Sequence, residues 1–217
     1  NTHNTREALE LFRQHSRDEL KENIRFAAFA LQESIDGFEN ENLKELRKVM
    51  NDLEEKKVHL NQVRRIGTLG ITQLDRAIAI EKGLYYYQGN DFASEIIFSI
   101  RRLVEPCKQH IDNNFKPLDE IQRKDYGEVE AQIIAYLENI SSQIEKNDYL
   151  GMSTTVEESA RLQSELTRLK KEELKRIQGQ SGSTKVSMVY LNILQETTNV
   201  VNFSCNLIKV SKKFQKE

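Results

Sequence analysis

Apolar residues recur three or four positions apart along almost the whole chain, and this spacing is typical of helices that bury one face. Only two prolines and nine glycines interrupt the 217 residues, so long helices are favoured over short strands and turns. The hydrophobic content of 38% is sufficient for a packed interior. We therefore expect an all-α fold in the form of an elongated helical bundle.

Six helices are predicted, with three in the first half of the chain followed by three in the second. They cover residues 5–37, 43–80, 92–111, 121–146, 149–178 and 184–214. In the first half we expect a break at residues 83–90, and Gly67 and Pro106 are positions for a kink. This order of helices predicts two three-helix repeats, residues 1–116 and 117–217, that pack lengthwise against each other.

The last predicted helix has the most regular apolar spacing in the chain. Ser183 or Thr184 is placed to cap it by accepting a hydrogen bond from a free backbone N–H. Thr197 and Ser204 lie on its apolar face and should bond to backbone carbonyls, because an unpaired buried hydroxyl costs about 1 to 3 kcal/mol. The apolar residues expected to be buried on this face include Val189, Ile193, Val200 and Leu207.

Charge and cysteine content exclude several classes of protein. With 32 basic and 34 acidic residues the chain lacks the basic surface that displaces phosphate counterions, so we expect no nucleic-acid partner. Cys107 and Cys205 lie in apolar helical runs and are interpreted as buried thiols of a reducing compartment. We expect the chain neither to span a membrane nor to be secreted, and its lack of an initial methionine fits a piece of a longer protein.

The spacings that catalytic and metal sites require are missing from the sequence. A di-iron bundle needs two Glu-x-x-His pairs, and none is present; nor is a phosphate-binding glycine loop, a nucleophile elbow or a Cys–His pair of known spacing. The glycines of residues 67–70 follow no predicted strand. The His15–Glu19 spacing indicates a surface contact, and Tyr85 to Tyr87 indicate a core plug more than a recognition surface. We therefore expect no enzyme.

Two segments carry a family resemblance. VEPCKQHIDNNFKPL, residues 104–118, is similar to the end of the first three-helix repeat in cytoplasmic domains of bacterial sodium/phosphate cotransporters. Residues 187–214 resemble the last helix of a PhoU repeat. The resemblance implies a six-helix PhoU-like bundle, and a non-catalytic regulatory domain that controls phosphate uptake at the cytoplasmic face of the bacterial inner membrane. The implied partner is the transmembrane transporter portion of the same polypeptide, with a homo-oligomer also open.

PhoU helices typically carry an acidic Glu-x-x-x-Asp pair that can hold metal clusters. The resemblance places these positions on Thr198 and Asn202 in the last helix and on Arg101 and Glu105 in the third. A site that has lost most of its carboxylates should lose most of its affinity for hard cations, so no cofactor is expected. The residues left as weak metal candidates are Glu105, His110 and Asp112.

Two other classes of function stay open. One is a free-standing helical adaptor or signalling bundle without a membrane partner, which a reading frame without upstream transmembrane helices would favour. The other is an enzyme or metal carrier, which metal analysis of the purified chain would reveal.

Overall fold

A computed structural model describes the backbone of residues 2–216 and the side chains of residues 6–216. Residues 2–216 form six helices and no strand, which confirms the all-α class. At 1.5 Å per residue the two longest helices each extend about 55 Å, so the bundle is elongated. The helices are α1 (Thr2–Glu39), α2 (Leu43–Ile71), α3 (Arg76–Asp112), α4 (Glu120–Glu145), α5 (Met152–Gln178) and α6 (Thr184–Gln215).

The helices pack as two neighbouring triplets around one apolar core. α1, α2 and α3 contact one another, as do α4, α5 and α6, and the triplets meet mainly where α3 packs on α6 and α1 packs on α4. The core contains residues from all six helices. Burial of a large aliphatic side chain contributes about 1.5 to 3 kcal/mol, so this shared core is the main stabilising term. The division into repeats at residues 116 and 117 stays a prediction.

The second helix ends earlier than the sequence indicates. α2 stops at Ile71 rather than near Ile80, and residues 72–75 form the turn to α3. The Thr72 hydroxyl donates to the Leu69 carbonyl at 2.6 Å and so satisfies one of the free carbonyls at the end of the helix. The prediction was wrong here because apolar spacing continues across the turn.

The predicted break at residues 83–90 was also wrong, since these residues lie inside α3. The two glycines in this stretch, Gly83 and Gly89, face neighbouring helices. A Cβ atom on Gly83 would lie 3.4 Å from the Ile71 side chain, and one on Gly89 would lie 3.7 Å from the Leu20 side chain. Both distances are ordinary van der Waals contacts, so these glycines neither end the helix nor are required by close packing.

Neither Gly67 nor Pro106 interrupts its helix. A proline inside a helix has no N–H for the carbonyl four residues earlier, which is that of Arg102. The Asn192 side chain of α6 replaces the missing donor, because its Nδ2 lies 2.9 Å from the Arg102 carbonyl oxygen. A tertiary contact thus allows α3 to continue through Pro106.

The last helix begins and packs largely as predicted. The Ser183 hydroxyl accepts from the Val186 backbone N–H at 3.4 Å and caps α6. Three of the four apolar residues singled out on its stripe are buried, whereas Val189 is only half-buried. The three buried residues are Ile193, Val200 and Leu207.

The two polar residues on the same stripe behave differently from each other. Ser204 donates to the Val200 carbonyl at 2.6 Å, as expected. The Thr197 hydroxyl instead bonds to the Tyr126 hydroxyl of α4 at 2.9 Å, so the expected carbonyl partner was wrong. A neighbouring helix supplied the partner, and sequence alone did not identify it.

Both cysteines are free and buried, as the sequence predicted, and burial raises the pKa of the Cys107 thiol. Among the helices of residues 2–216, none combines enough length with enough apolar character to cross a bilayer.

Candidate functional site

The three weak metal candidates do not form a common site. Glu105 and Asp112 are exposed on α3, whereas His110 is only 5% exposed. The His110 Nε2 lies 2.5 Å from the Lys116 carbonyl oxygen, which can only accept, so this nitrogen carries a proton and is not free to bind a metal. Within residues 6–216, no three His, Cys, Asp or Glu side chains are grouped so that they could hold a metal ion.

The positions expected to hold PhoU acidic pairs carry other contacts. Arg101 of α3 forms an ion pair with Glu54 of α2, with 2.6 Å between Nη1 and Oε2. On α6 the Thr198 hydroxyl donates to the Leu194 carbonyl at 2.8 Å, and Asn202 is exposed. These side chains bind their own helix, a neighbouring helix or solvent.

The sequence prediction for the three neighbouring tyrosines and the prediction for His15 have different outcomes. Of the three tyrosines expected to plug the core, Tyr86 is 3% exposed and does so, whereas Tyr85 and Tyr87 are half-buried. The expected His15–Glu19 contact was wrong, because Glu19 pairs with His59 of α2, with 2.9 Å between Oε2 and Nε2. The His15 Nε2 is buried and has no hydrogen-bond partner among the described residues.

A charged contact joins α3 to α6 in the middle of the bundle. Arg102 Nε donates to both carboxylate oxygens of Glu196, at 3.1 and 3.2 Å. Glu196 is only 7% exposed, so loss of the arginine would leave a buried carboxylate without its partner. This pair was not predicted from the sequence. The signal that could have indicated it is Glu196, the single acidic residue among the apolar residues of the last helix.

A second buried acid connects the helices of the second triplet. Glu173 of α5 is 2% exposed and accepts from Gln122 of α4 at 3.0 Å and from Ser187 of α6 at 2.6 Å. Arg176 Nη1 lies 3.2 Å from its other oxygen. The carboxylate is satisfied by the protein itself, which assigns it to structure and not to ligand binding.

A group of buried cations surrounds the C-terminal end of α6. Lys82 of α3 donates to the carbonyl oxygens of Lys213 at 3.1 Å and Lys216 at 2.6 Å. Arg13 of α1 donates to the same Lys216 oxygen at 3.1 Å. Cations at this position bind carbonyls that the helix leaves free, and they oppose the negative end of its dipole.

Arg17 belongs to the same group. Its Nη1 donates to Gln215 Oε1 at 2.7 Å, and Gln215 Nε2 donates in turn to the Arg13 carbonyl at 3.1 Å. Arg13 and Arg17 are each 9% exposed and Lys82 is 7% exposed. In the sequence, the spacing of four residues between Arg13 and Arg17 on the first helix is the signal that points to this group.

An open cleft of about 700 Å³ lies beside this cationic group, between α1 and α3. Both charged and apolar side chains line it. They are Arg6, Leu9, Glu10, Arg13, Ile78, Glu81 and Lys82.

The comparison with solved structures finds a similar fold, whereas the two sequence comparisons find no match. No protein-family model matches the chain, and no curated protein matches it significantly. Among solved structures, the chain is similar to the crystal structure of the phosphate transport system regulatory protein PhoU from Streptococcus pneumoniae. The TM-score is 0.70 at 11% sequence identity, over 96% of this chain and 97% of that one. The fold is therefore PhoU-like.

Proposed function

We propose that this chain is a non-catalytic regulator of phosphate transport. The observation that carries the proposal is the PhoU-like arrangement of all six helices over 96% of the chain, since the neighbour of that fold is a phosphate transport system regulatory protein. The proposal therefore rests on analogy of fold, and the experiment below tests it.

In its finer form, the proposal is a regulatory domain of a sodium/phosphate cotransporter, facing the cytoplasm and joined to the transmembrane portion of the same polypeptide. Its support is the resemblance of residues 104–118 to the cytoplasmic domains of such cotransporters, together with the resemblance of residues 187–214 to the last helix of a PhoU repeat. These two segments are neighbours in space, because the first includes the end of α3 and the second occupies α6, which packs on α3. The alternative is a free-standing PhoU-like protein, which the fold supports equally.

Regulation would work through docking. A domain that binds one conformation of a transporter more tightly than another shifts the population towards the first by the difference in binding free energy. The bundle suits this role because one core connects all six helices, so a contact at one end is held rigidly relative to the other.

The test is phosphate uptake in the native host. Residues 1–217 are deleted in frame, and uptake of radiolabelled phosphate is measured at low and high external phosphate. We expect the response of uptake to external phosphate to change, and to be restored by the wild-type chain supplied again. Unchanged uptake at both concentrations would contradict the proposal.

The reading frame separates the two forms of the proposal. Transmembrane helices encoded in frame with this chain support the cotransporter domain, and an open reading frame of this chain alone supports the free-standing regulator.

A further inference from the structure

The cationic end of the bundle holds more positive charge than its own carboxylates neutralise at close range. Glu10 Oε1 lies 3.4 Å from Arg17 Nη2, and Glu81 Oε1 lies 3.9 Å from Lys82 Nζ, which is beyond hydrogen-bond length. Both glutamates have side chains more than 60% exposed, so solvent screens their charge. These two carboxylates therefore neutralise the buried cations only in part, and Arg13 and Lys82 lie on the wall of the cleft.

Capping of α6 explains only part of this arrangement. A lysine ammonium has three donors, and Lys82 uses two of them on the carbonyls of Lys213 and Lys216. Arg13 Nη2 donates to the Lys216 carbonyl oxygen, but Arg13 Nε is buried and has no hydrogen-bond partner within residues 6–216. A guanidinium N–H in that position is a donor that still needs an acceptor.

Arg6 is a further cation at the cleft, and it does not cap the end of a helix. It is exposed on the wall of the cleft, about two turns before Arg13 on the same helix, and it makes no hydrogen bond or ion pair with the described residues. Burial lowers the pKa of Lys82, the Glu81 carboxylate partly opposes this, and the nearby Arg13 lowers the pKa again; a bound anion would act in the same direction as Glu81.

We infer that this cleft binds an oxyanion of the phosphate class through Arg6, Arg13 and Lys82. A tetrahedral dianion accepts hydrogen bonds from several directions, which matches donors that approach from two helices, and arginine is well suited to phosphate recognition. The cleft is larger than inorganic phosphate, and Leu9 and Ile78 give it apolar walls, so a phosphate ester with a small organic part also fits. The inference rests on these charges and does not depend on the proposed transport role.

The test measures binding to the purified chain by titration calorimetry. Inorganic phosphate and glycerol 3-phosphate are titrated separately, with sodium chloride at the same ionic strength as the reference. We expect saturable binding of at least one phosphate probe. The probe that binds more tightly shows whether free phosphate or a phosphate ester is the preferred ligand. Absence of saturable binding by both probes, or equal heats with chloride, would overturn the inference.

Variants localise the binding. Arg6→Gln should weaken it about fivefold, typical of one partly exposed charged contact, while unfolding without phosphate stays unchanged because Arg6 supports no helix end. Glu81→Gln should tighten binding, since it removes a repelling charge from the cleft wall. Arg47→Gln is the matched control, because it removes the same charge from an exposed position near the start of α2.

If Arg6→Gln and Arg47→Gln weaken binding equally, the phosphate responds to overall charge and the assigned cleft is wrong. If Glu81→Gln leaves affinity unchanged while Arg6→Gln weakens binding, the phosphate lies away from the α3 wall and the role assigned to Lys82 is wrong.

Discussion

The ring of Tyr86 lies directly over Gly67, so close that a Cβ atom on this glycine would be 2.1 Å from the tyrosine ring and hydroxyl. The Tyr86 hydroxyl reaches past Gly67 to donate to the Val63 carbonyl at 3.2 Å. The ring also packs against Phe12 and Phe214, with centroids 4.6 and 5.9 Å away. One glycine therefore allows α2, α3, α1 and α6 to share an aromatic cluster near the end of the bundle.

Gly67→Ala is expected to lower the free energy of unfolding by about 1 to 3 kcal/mol, because the added methyl group overpacks against a buried ring. Gly127→Ala is the control, since Gly127 is an exposed position in α4 with nothing within 4 Å of its added Cβ. For Gly127→Ala we expect the free energy of unfolding to rise by about 0.5 to 1 kcal/mol, because alanine has the higher helix propensity. Urea unfolding monitored by circular dichroism measures both, and a stabilised Gly67→Ala protein would contradict the close contact.

The contact between Asn192 and the Arg102 carbonyl predicts a coupling with Pro106. Asn192→Leu should cost about 1 kcal/mol, because it leaves that carbonyl without a donor. In a Pro106→Ala background the alanine N–H can bond to the same carbonyl, so the cost of Asn192→Leu should fall towards zero. A double-mutant cycle of unfolding free energies measures this coupling, and equal costs in the two backgrounds would rule it out.

Glu130 predicts a change of stability with pH. Burial, with the carboxylates of Asp36 and Glu39, raises the pKa of Glu130 from 4.5 to about 8. The folded chain therefore holds this proton more tightly than the unfolded chain, and the associated stability is present at pH 4.5 and is lost as pH rises towards 8. Glu130→Gln should match the wild type near pH 4.5 and be more stable at pH 9.

Thermal unfolding from pH 4.5 to 9 measures this difference. Glu128→Gln is the matched control, because it makes the same change of charge at an exposed position on α4. One titrating group changes stability by at most about 1.4 kcal/mol per pH unit, and partial exposure of Glu130 reduces that value. The same pH profile for both variants would show that Glu130 has no special role.

The chain is expected to purify without a tightly bound transition metal. Glu105 and Asp112 are seven residues apart, about 10 Å along the helix axis, and the His110 Nε2 is held by the Lys116 carbonyl. Elemental analysis after dialysis is the measurement. Near-stoichiometric iron, zinc or manganese that is lost on Glu105→Gln or Asp112→Asn would contradict the prediction and restore a metal-dependent role.

Helix number and class could be predicted because they depend on local properties. Apolar spacing and the scarcity of proline act over one or two turns, and the three helices of the second half were located to within a few residues. The Ser183 cap was predictable for the same reason, since a cap bonds to a backbone group three residues away.

The sequence alone determined an all-helical bundle with a buried stripe on its last helix, because both depend on patterns within a single helix. Only the tertiary structure decided that residues 83–90 continue α3, that Asn192 supports Pro106, and that Arg13 meets Lys82 around the end of α6. The last two of these depend on a partner on another helix that is at least 69 residues away in sequence. The cationic cleft was therefore invisible in the sequence, since packing brings its walls together and no local pattern does.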